Sequence, residues 1–276
     1  MTATNDGLAY VQQHLHFMRK DLTETNPTRL FGKLLIDMGY YSKAKQYYQL
    51  VLKTLPKNHD DFPSLYHGLG YTHYEQDQYT EALQYDTIAY EIRKRTLPQN
   101  HLDIARSSLN LECDYVGHGD HDRARKLPME ALHIREQSYS GNEHANIAIV
   151  LAVIGDSYTR SCDYRNAMSY LTRALNMFKR VSPVDHADIA GTLMKFGYFF
   201  EKKHIYHRAI EYYYKGHQME AKIMIPEHPP LQKYFESIIK LYQKMNYIDE
   251  AVQFCNNKLS SQQELLGEYH PNIARI

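Results

Sequence analysis

The chain has 276 residues in which 32 Lys and Arg balance 32 Asp and Glu, so no global field draws it to nucleic acid or to an anionic membrane. Its 43% hydrophobic and 23% charged residues are ordinary globular values, and no apolar run approaches the ~18 residues of a spanning helix, which excludes membrane insertion. Three cysteines, Cys113, Cys162 and Cys255, form no CxxC and are odd in number, which argues against a disulfide framework and for a reducing, cytoplasmic setting.

Residues 1–25 come first. Their apolar residues Leu8, Val11, Leu15, Met18 and Leu22 fall on one helical face, which predicts an N-terminal helix capping the first layer of a stacked array. From 26 to 276 a ruler takes over. A histidine returns at His59, His101, His144, His186, His228 and His270, at intervals of 42 or 43 residues. An alanine at Ala44, Ala82, Ala124, Ala167, Ala209 and Ala251 keeps the same beat after a first interval of 38. A period of this size marks stacked supersecondary units rather than one core. The repeats are expected at about 26–57, 60–98, 101–140, 144–182, 186–225 and 228–267, with the start of a further helix at 270–276. The chain stops at Ile276 just as that helix begins, so the sequence reads as a piece of a longer protein or as an array whose last pair is uncapped.

The unit from Asn100 to Tyr139 shows the pattern. Ile104, Ala105, Leu109, Leu111 and Val116 form a helical stripe, Gly117-His118-Gly119-Asp120 breaks it, and Arg123 to Tyr139 resumes as a second helix. Gly32, Gly70, Gly155 and Gly197 stand twelve residues before the marked alanines. Glycine in a helix costs roughly 1 kcal/mol relative to alanine, and close approach of two helix backbones at the alanine sites is the expected reason. Tyr115, Tyr158, Phe200 and Tyr242 are expected to fill the space beside them. The third unit departs from the pattern: Glu112 replaces the glycine, and Pro128 lies inside the second helix, predicting a kink near Lys126 to Pro128. The three cysteines are expected as buried or half-buried packing residues.

The order Leu69-Gly70, Ala82, Ala89 and later Pro98, or Ile154-Gly155, Tyr158, Ala167, Leu171 and Ala174, resembles the tetratricopeptide repeat. Strings such as Pro98-Gln99-Asn100-His101-Leu102-Asp103-Ile104-Ala105, Ala131-Leu132-His133-Ile134-Arg135-Glu136 and Gly267-Glu268-Tyr269-His270-Pro271-Asn272-Ile273-Ala274 are similar to the 42-residue repeats of kinesin light chains. The resemblance covers about Arg29 to Ile276. It implies an all-α α-solenoid, a right-handed superhelix of about six such helix pairs, whose first helices line a concave surface. By the family register that surface carries Arg29, Lys33, His67, Tyr71, Tyr74, Arg106, Asn110, Asp156, Tyr198, Lys202, Lys233, Lys240 and Lys244. Asn110 is what remains of the Asn-Asn pair these light-chain repeats carry. The implied function is an adaptor that binds an extended acidic or aromatic peptide of a partner protein. A second reading is the regulatory or scaffolding part of a larger enzyme, since similar arrays stand behind catalytic domains such as mono-ADP-ribosyltransferases. Motor heavy-chain association is unsupported, because nothing before Arg29 provides the ~3–4 heptads of a coiled coil. The Lys, Asn, Asn, Lys and Arg clamp for chaperone tails is not supplied by any three repeats.

Sixteen histidines invite a metal reading, but the periodic ones stand a repeat apart, whereas a metal needs ligands in one coordination shell. In His228-Pro229 and His270-Pro271 the proline suits a first helical position, which makes the periodic histidine a helix cap. No nucleophile elbow, phosphate-cradling loop or paired-acid motif is present. The expectation is therefore a non-enzymatic protein with no cofactor and no metal.

Overall fold

A computed structural model of the chain describes residues 27–56, 59–181, 187–221 and 229–266. Within them lie α1 Pro27–Asp37, α2 Tyr41–Thr54, α3 Phe62–Tyr74, α4 Tyr79–Thr96, α5 Leu102–His118, α6 His121–Ala124, α7 Leu127–Ser138, α8 Ala145–Arg160, α9 Tyr164–Val181, α10 Ala187–Lys202, α11 Tyr206–Ala221, α12 Pro229–Lys244 and α13 Ile248–Leu266. Among the described residues there is no strand. The protein is an all-α repeat solenoid of helical hairpins. It divides into two compact units, Met1–Leu127 and Pro128–Ile276. The capping segment 1–25, His186, His228 and the helix start at 270–276 lie outside the described residues.

Each hairpin turns on one left-handed residue five before the marked alanine. These are Gly39, Asp77, Gly119, Cys162, His204 and Asn246, with φ between 57° and 89°. The turn is a Schellman motif: the Cys162 amide donates to the Thr159 carbonyl at 3.1 Å and the Asp163 amide to the Tyr158 carbonyl at 3.0 Å. The alanine amide then closes the first turn of the second helix, as Ala167 does onto the Asp163 carbonyl at 2.9 Å. Cys162 is thus an exposed turn residue, and Cys113 is exposed on α5, which corrects the expectation that they pack inside; Cys255 is half-buried.

The alanines are buried, from Ala44, Ala82, Ala167 and Ala209 with no exposure to Ala251 at 8%. The glycines opposite them serve a different purpose from the backbone contact expected. Each leaves room for the side chain four residues past the alanine. A Cβ on Gly32 would lie 2.2 Å from the Tyr48 ring, on Gly70 2.7 Å from the Asp86 carboxylate, on Gly155 2.7 Å from Leu171 and on Gly197 2.4 Å from the Tyr213 ring. At Gly155 backbone comes close as well, with the Leu171 nitrogen at 3.0 Å.

In the third hairpin the expected kink is a full break. The second helix splits into α6 and α7, and Pro128 falls in the first turn of α7, where its missing N–H has no helical acceptor to lose. Histidine capping is present where the described residues reach it. His101 Nδ1 accepts from the Asp103 amide at 3.1 Å and His144 Nδ1 from the Asn146 amide at 3.0 Å. His59 accepts instead from Asp61, one residue before α3 begins, so it fixes the preceding turn.

Candidate protein-binding site

In the first unit the expected residues lie on α1, α3 and α5. Lys33 is exposed on α1, and the side chain of Arg29 lies outside the described residues. On α3, His67 Nδ1 lies 2.7 Å from Asp86 Oδ1 of α4, and Asn110 Nδ2 of α5 lies 3.0 Å from the same nitrogen. Positions 43 residues apart therefore meet across adjacent repeats, as stacking of first helices requires. The Tyr71 ring lies 6.3 Å from the His67 ring, and Tyr74 packs edge-on to Tyr79 at 5.5 Å. Arg106 is tied to Asp103 one turn earlier at 3.1 Å.

Two acids join this cluster. Asp86 is 3% and Asp114 2% exposed. Burial, then the charge of Asp86 and its hydrogen bond, push the Asp114 carboxyl well above the ordinary carboxylate range. Among the described residues Asp114 Oδ2 has no hydrogen-bond partner. Burial also pushes the Tyr74 hydroxyl up to about 12, helped by the charges of Cys113, Tyr79, Asp114 and Glu75.

The second unit is built differently. Two cations lie over the Tyr198 ring of α10, the Arg160 guanidinium of α8 at 5.2 Å and the Lys202 ammonium at 5.3 Å from its centroid. Arg160 also meets Asp156 one turn earlier at 3.0 Å. On α12, Lys233, Lys240 and Lys244 are spaced by seven and four residues, which puts them on one face, and all three are exposed. Lys244 reaches across to α10, where its ammonium lies 2.8 Å from Glu201 Oε1, and that hydrogen bond holds its pKa above the ordinary lysine value. The other oxygen of Glu201 accepts from the Tyr213 hydroxyl at 3.1 Å. The cationic stretch is thus anchored by an acid through Lys244, beside the exposed Lys202, Lys233 and Lys240.

Asp86, Asp114, Arg160 and Glu201 went unread in the sequence. Arg160 had a signal, four residues after Asp156 on one helix. Asp86 had another, since it occupies the slot that holds Tyr48, Leu171 and Tyr213 in other repeats. Among the described residues no three His, Cys, Asp or Glu side chains form a group fit for a metal, and no helix is long and apolar enough to cross a membrane. A separate groove of about 610 Å³ in the first unit runs along Thr80, Leu83, Gln84, Thr87 and Ile88 of α4, opposite Tyr115, His118 and Arg123. It uses a different face of α4 from Asp86.

Models of the tetratricopeptide repeat match residues 61–137 and 119–180, and a further one matches 30–58. Together they span more than half of the chain. A search of the curated proteins finds no match. Similar solved structures include nearly identical TPR-like repeats described as a kinesin light chain from Podosopora anserina, at 17% identity and TM-score 0.56, over 76% of this chain and 100% of that one. A Rap protein complexed with Competence and Sporulation Factor is similar at 15% identity and TM-score 0.67, over 95% and 73%. NprR in complex with its cognate peptide NprX is similar at 18% identity and TM-score 0.63, over 92% and 74%. At these identities the likeness is one of fold.

Proposed function

We propose that this chain, which belongs to the tetratricopeptide-repeat family, is a non-enzymatic scaffold that holds a segment of a partner protein against the first helices of its repeats. The peptide and protein complexes of the similar folds support the interaction role. The observation that carries the finer reading is the second-unit face, where Tyr198 is flanked by Arg160 and Lys202 and a row of lysines continues on α12. Such a surface favours an extended segment with acidic residues and an aromatic or apolar anchor, as in a kinesin light chain-like adaptor. Each exposed ion pair contributes a fraction of a kcal/mol, so several must act together and affinity falls in the micromolar range, weakening as salt screens the charges.

Selection from a library of extended peptides, followed by fluorescence anisotropy at low and high salt, tests this reading. Enrichment of acidic and aromatic residues is expected, with affinity roughly tenfold lower for the Lys233→Glu/Lys240→Glu protein. Lys244 is left intact because reversing it would also disturb Glu201 and, through it, the buried Tyr213. Equal binding by both proteins, with no salt dependence, overturns the basic face as the site.

A further inference from the structure

The first unit keeps two carboxyl groups side by side where the fold has no need of them. Asp86 fills the space left by Gly70, and Asp114 of α5 meets it from the other side, both nearly inaccessible. Repeats elsewhere in the chain put a tyrosine or a leucine in the Asp86 slot, so packing alone does not call for an acid. A buried polar atom is normally satisfied, and leaving one without a partner is costly. Asp114 Oδ2 is such an atom. The cluster reaches the first-helix surface through side chains that are half-buried or exposed. His67 lies 2.7 Å from Asp86 with Asn110 against it, Tyr74 is within electrostatic reach of Asp114, and Cys113 beside it is exposed.

We propose that the Asp86–Asp114 pair is a receptor for one cationic side chain, a lysine or arginine of the bound segment, which enters past Tyr74 and His67 and takes up the unpartnered oxygen of Asp114. The inference rests on the reading that a partner segment lies on the first helices, and it adds that this unit selects a basic residue while the second selects acidic ones. A cation between two carboxylates does what a shared proton does, so its entry expels that proton to solvent. The groups facing Asp114 are Asp86 from α4 and Tyr74 from α3, with His67 behind Asp86 and Cys113 on its own helix; α6 turns Arg123 toward Asp120 and the Tyr115 ring instead. Because burial holds Asp114 protonated at neutral pH, affinity for a cation rises with pH, approaching about tenfold per unit while one proton is released.

A Gly-Ser peptide carrying a single arginine, and its citrulline counterpart, are the probes. Titration followed by amide NMR shifts should give saturable changes around residues 67, 74, 86, 110 and 114 for the arginine peptide only. Calorimetry in two buffers of different ionisation enthalpy should show proton release. Asp114→Asn should lose the arginine-specific shifts and the pH dependence, with its folding checked by circular dichroism. Equal shifts from citrulline, or saturation elsewhere, overturns the receptor without needing any variant. The two readings separate cleanly. If library-selected peptides bind but none contacts Asp114, the scaffold stands and the cation receptor fails; if the arginine peptide binds and no longer segment is ever selected, the reverse holds.

Discussion

The two units use one frame and fill it differently. In both, a left-handed turn and an alanine five residues later set the hairpin, and where a glycine stands on the preceding helix it receives the side chain four residues past the alanine. In the second unit that slot holds Leu171 and Tyr213, which join Phe196, Phe199, Phe200, Tyr234, Ile238 and Leu241 in one buried cluster. In the first it holds Tyr48, packed with Leu65 and Leu69, and then Asp86, which opens a polar network instead of closing a core. The frame determines where the side chain points, and the residue type decides whether the point becomes stability or a site.

That contrast can be tested at the glycines. Gly197→Ala would drive a Cβ to within 2.4 Å of the Tyr213 ring and should cost roughly 1–3 kcal/mol in chemical denaturation. Gly191→Ala, on the same helix with nothing within 4 Å among the described residues, should stabilise by up to ~1 kcal/mol. Similar shifts for both substitutions would contradict the slot account.

The polar filling of the first unit predicts a pH dependence centred on Asp114. The folded state raises the Asp114 pKa above its unfolded value, so it holds a proton the unfolded chain releases. Its contribution is therefore complete below the ordinary carboxylate range and is lost as pH rises from there toward the raised value. Amide exchange, corrected for intrinsic rates, should show α3 to α5 losing protection between about pH 5 and pH 8, and Asp114→Asn should flatten that loss. A pH-independent protection in the native protein would remove the buried acid pair from the account.

A smaller effect is expected at the turn shared by both units. Cys162 adopts φ 60°, a conformation that costs a side chain about 1 kcal/mol or more, so Cys162→Gly should raise the melting temperature. A lowered value would mean that its side chain contributes more than its backbone costs.

The sequence carried the fold to an unusual degree because the period repeats every error and every success six times. Ala167 and Ala209, Gly155 and Gly197 were legible from spacing alone, and so were the caps His101 and His144. The left-handed turn was not, since Gly39 and Gly119 share the position with Cys162 and His204, residue types with no strong preference for it. The broken third hairpin was foreshadowed by Pro128, but its placement in a first helical turn depends on where α7 begins. Of the candidate site, the individual positions on the first helices could be read, whereas their partners could not. His67 with Asn110 and Lys244 with Glu201 are separated by a full repeat, and Asp86 enters from a second helix through space that only a missing Cβ provides.

The most direct test of the central claim is an amide-exchange footprint of a library-selected peptide on the whole chain. A scaffold that binds along its first helices predicts slowed exchange in α8, α10 and α12, with the second helices α9 and α11 unchanged. Protection confined to α4 and α6, around the groove between Thr80 and Arg123, or protection that spares the first helices altogether, would contradict it.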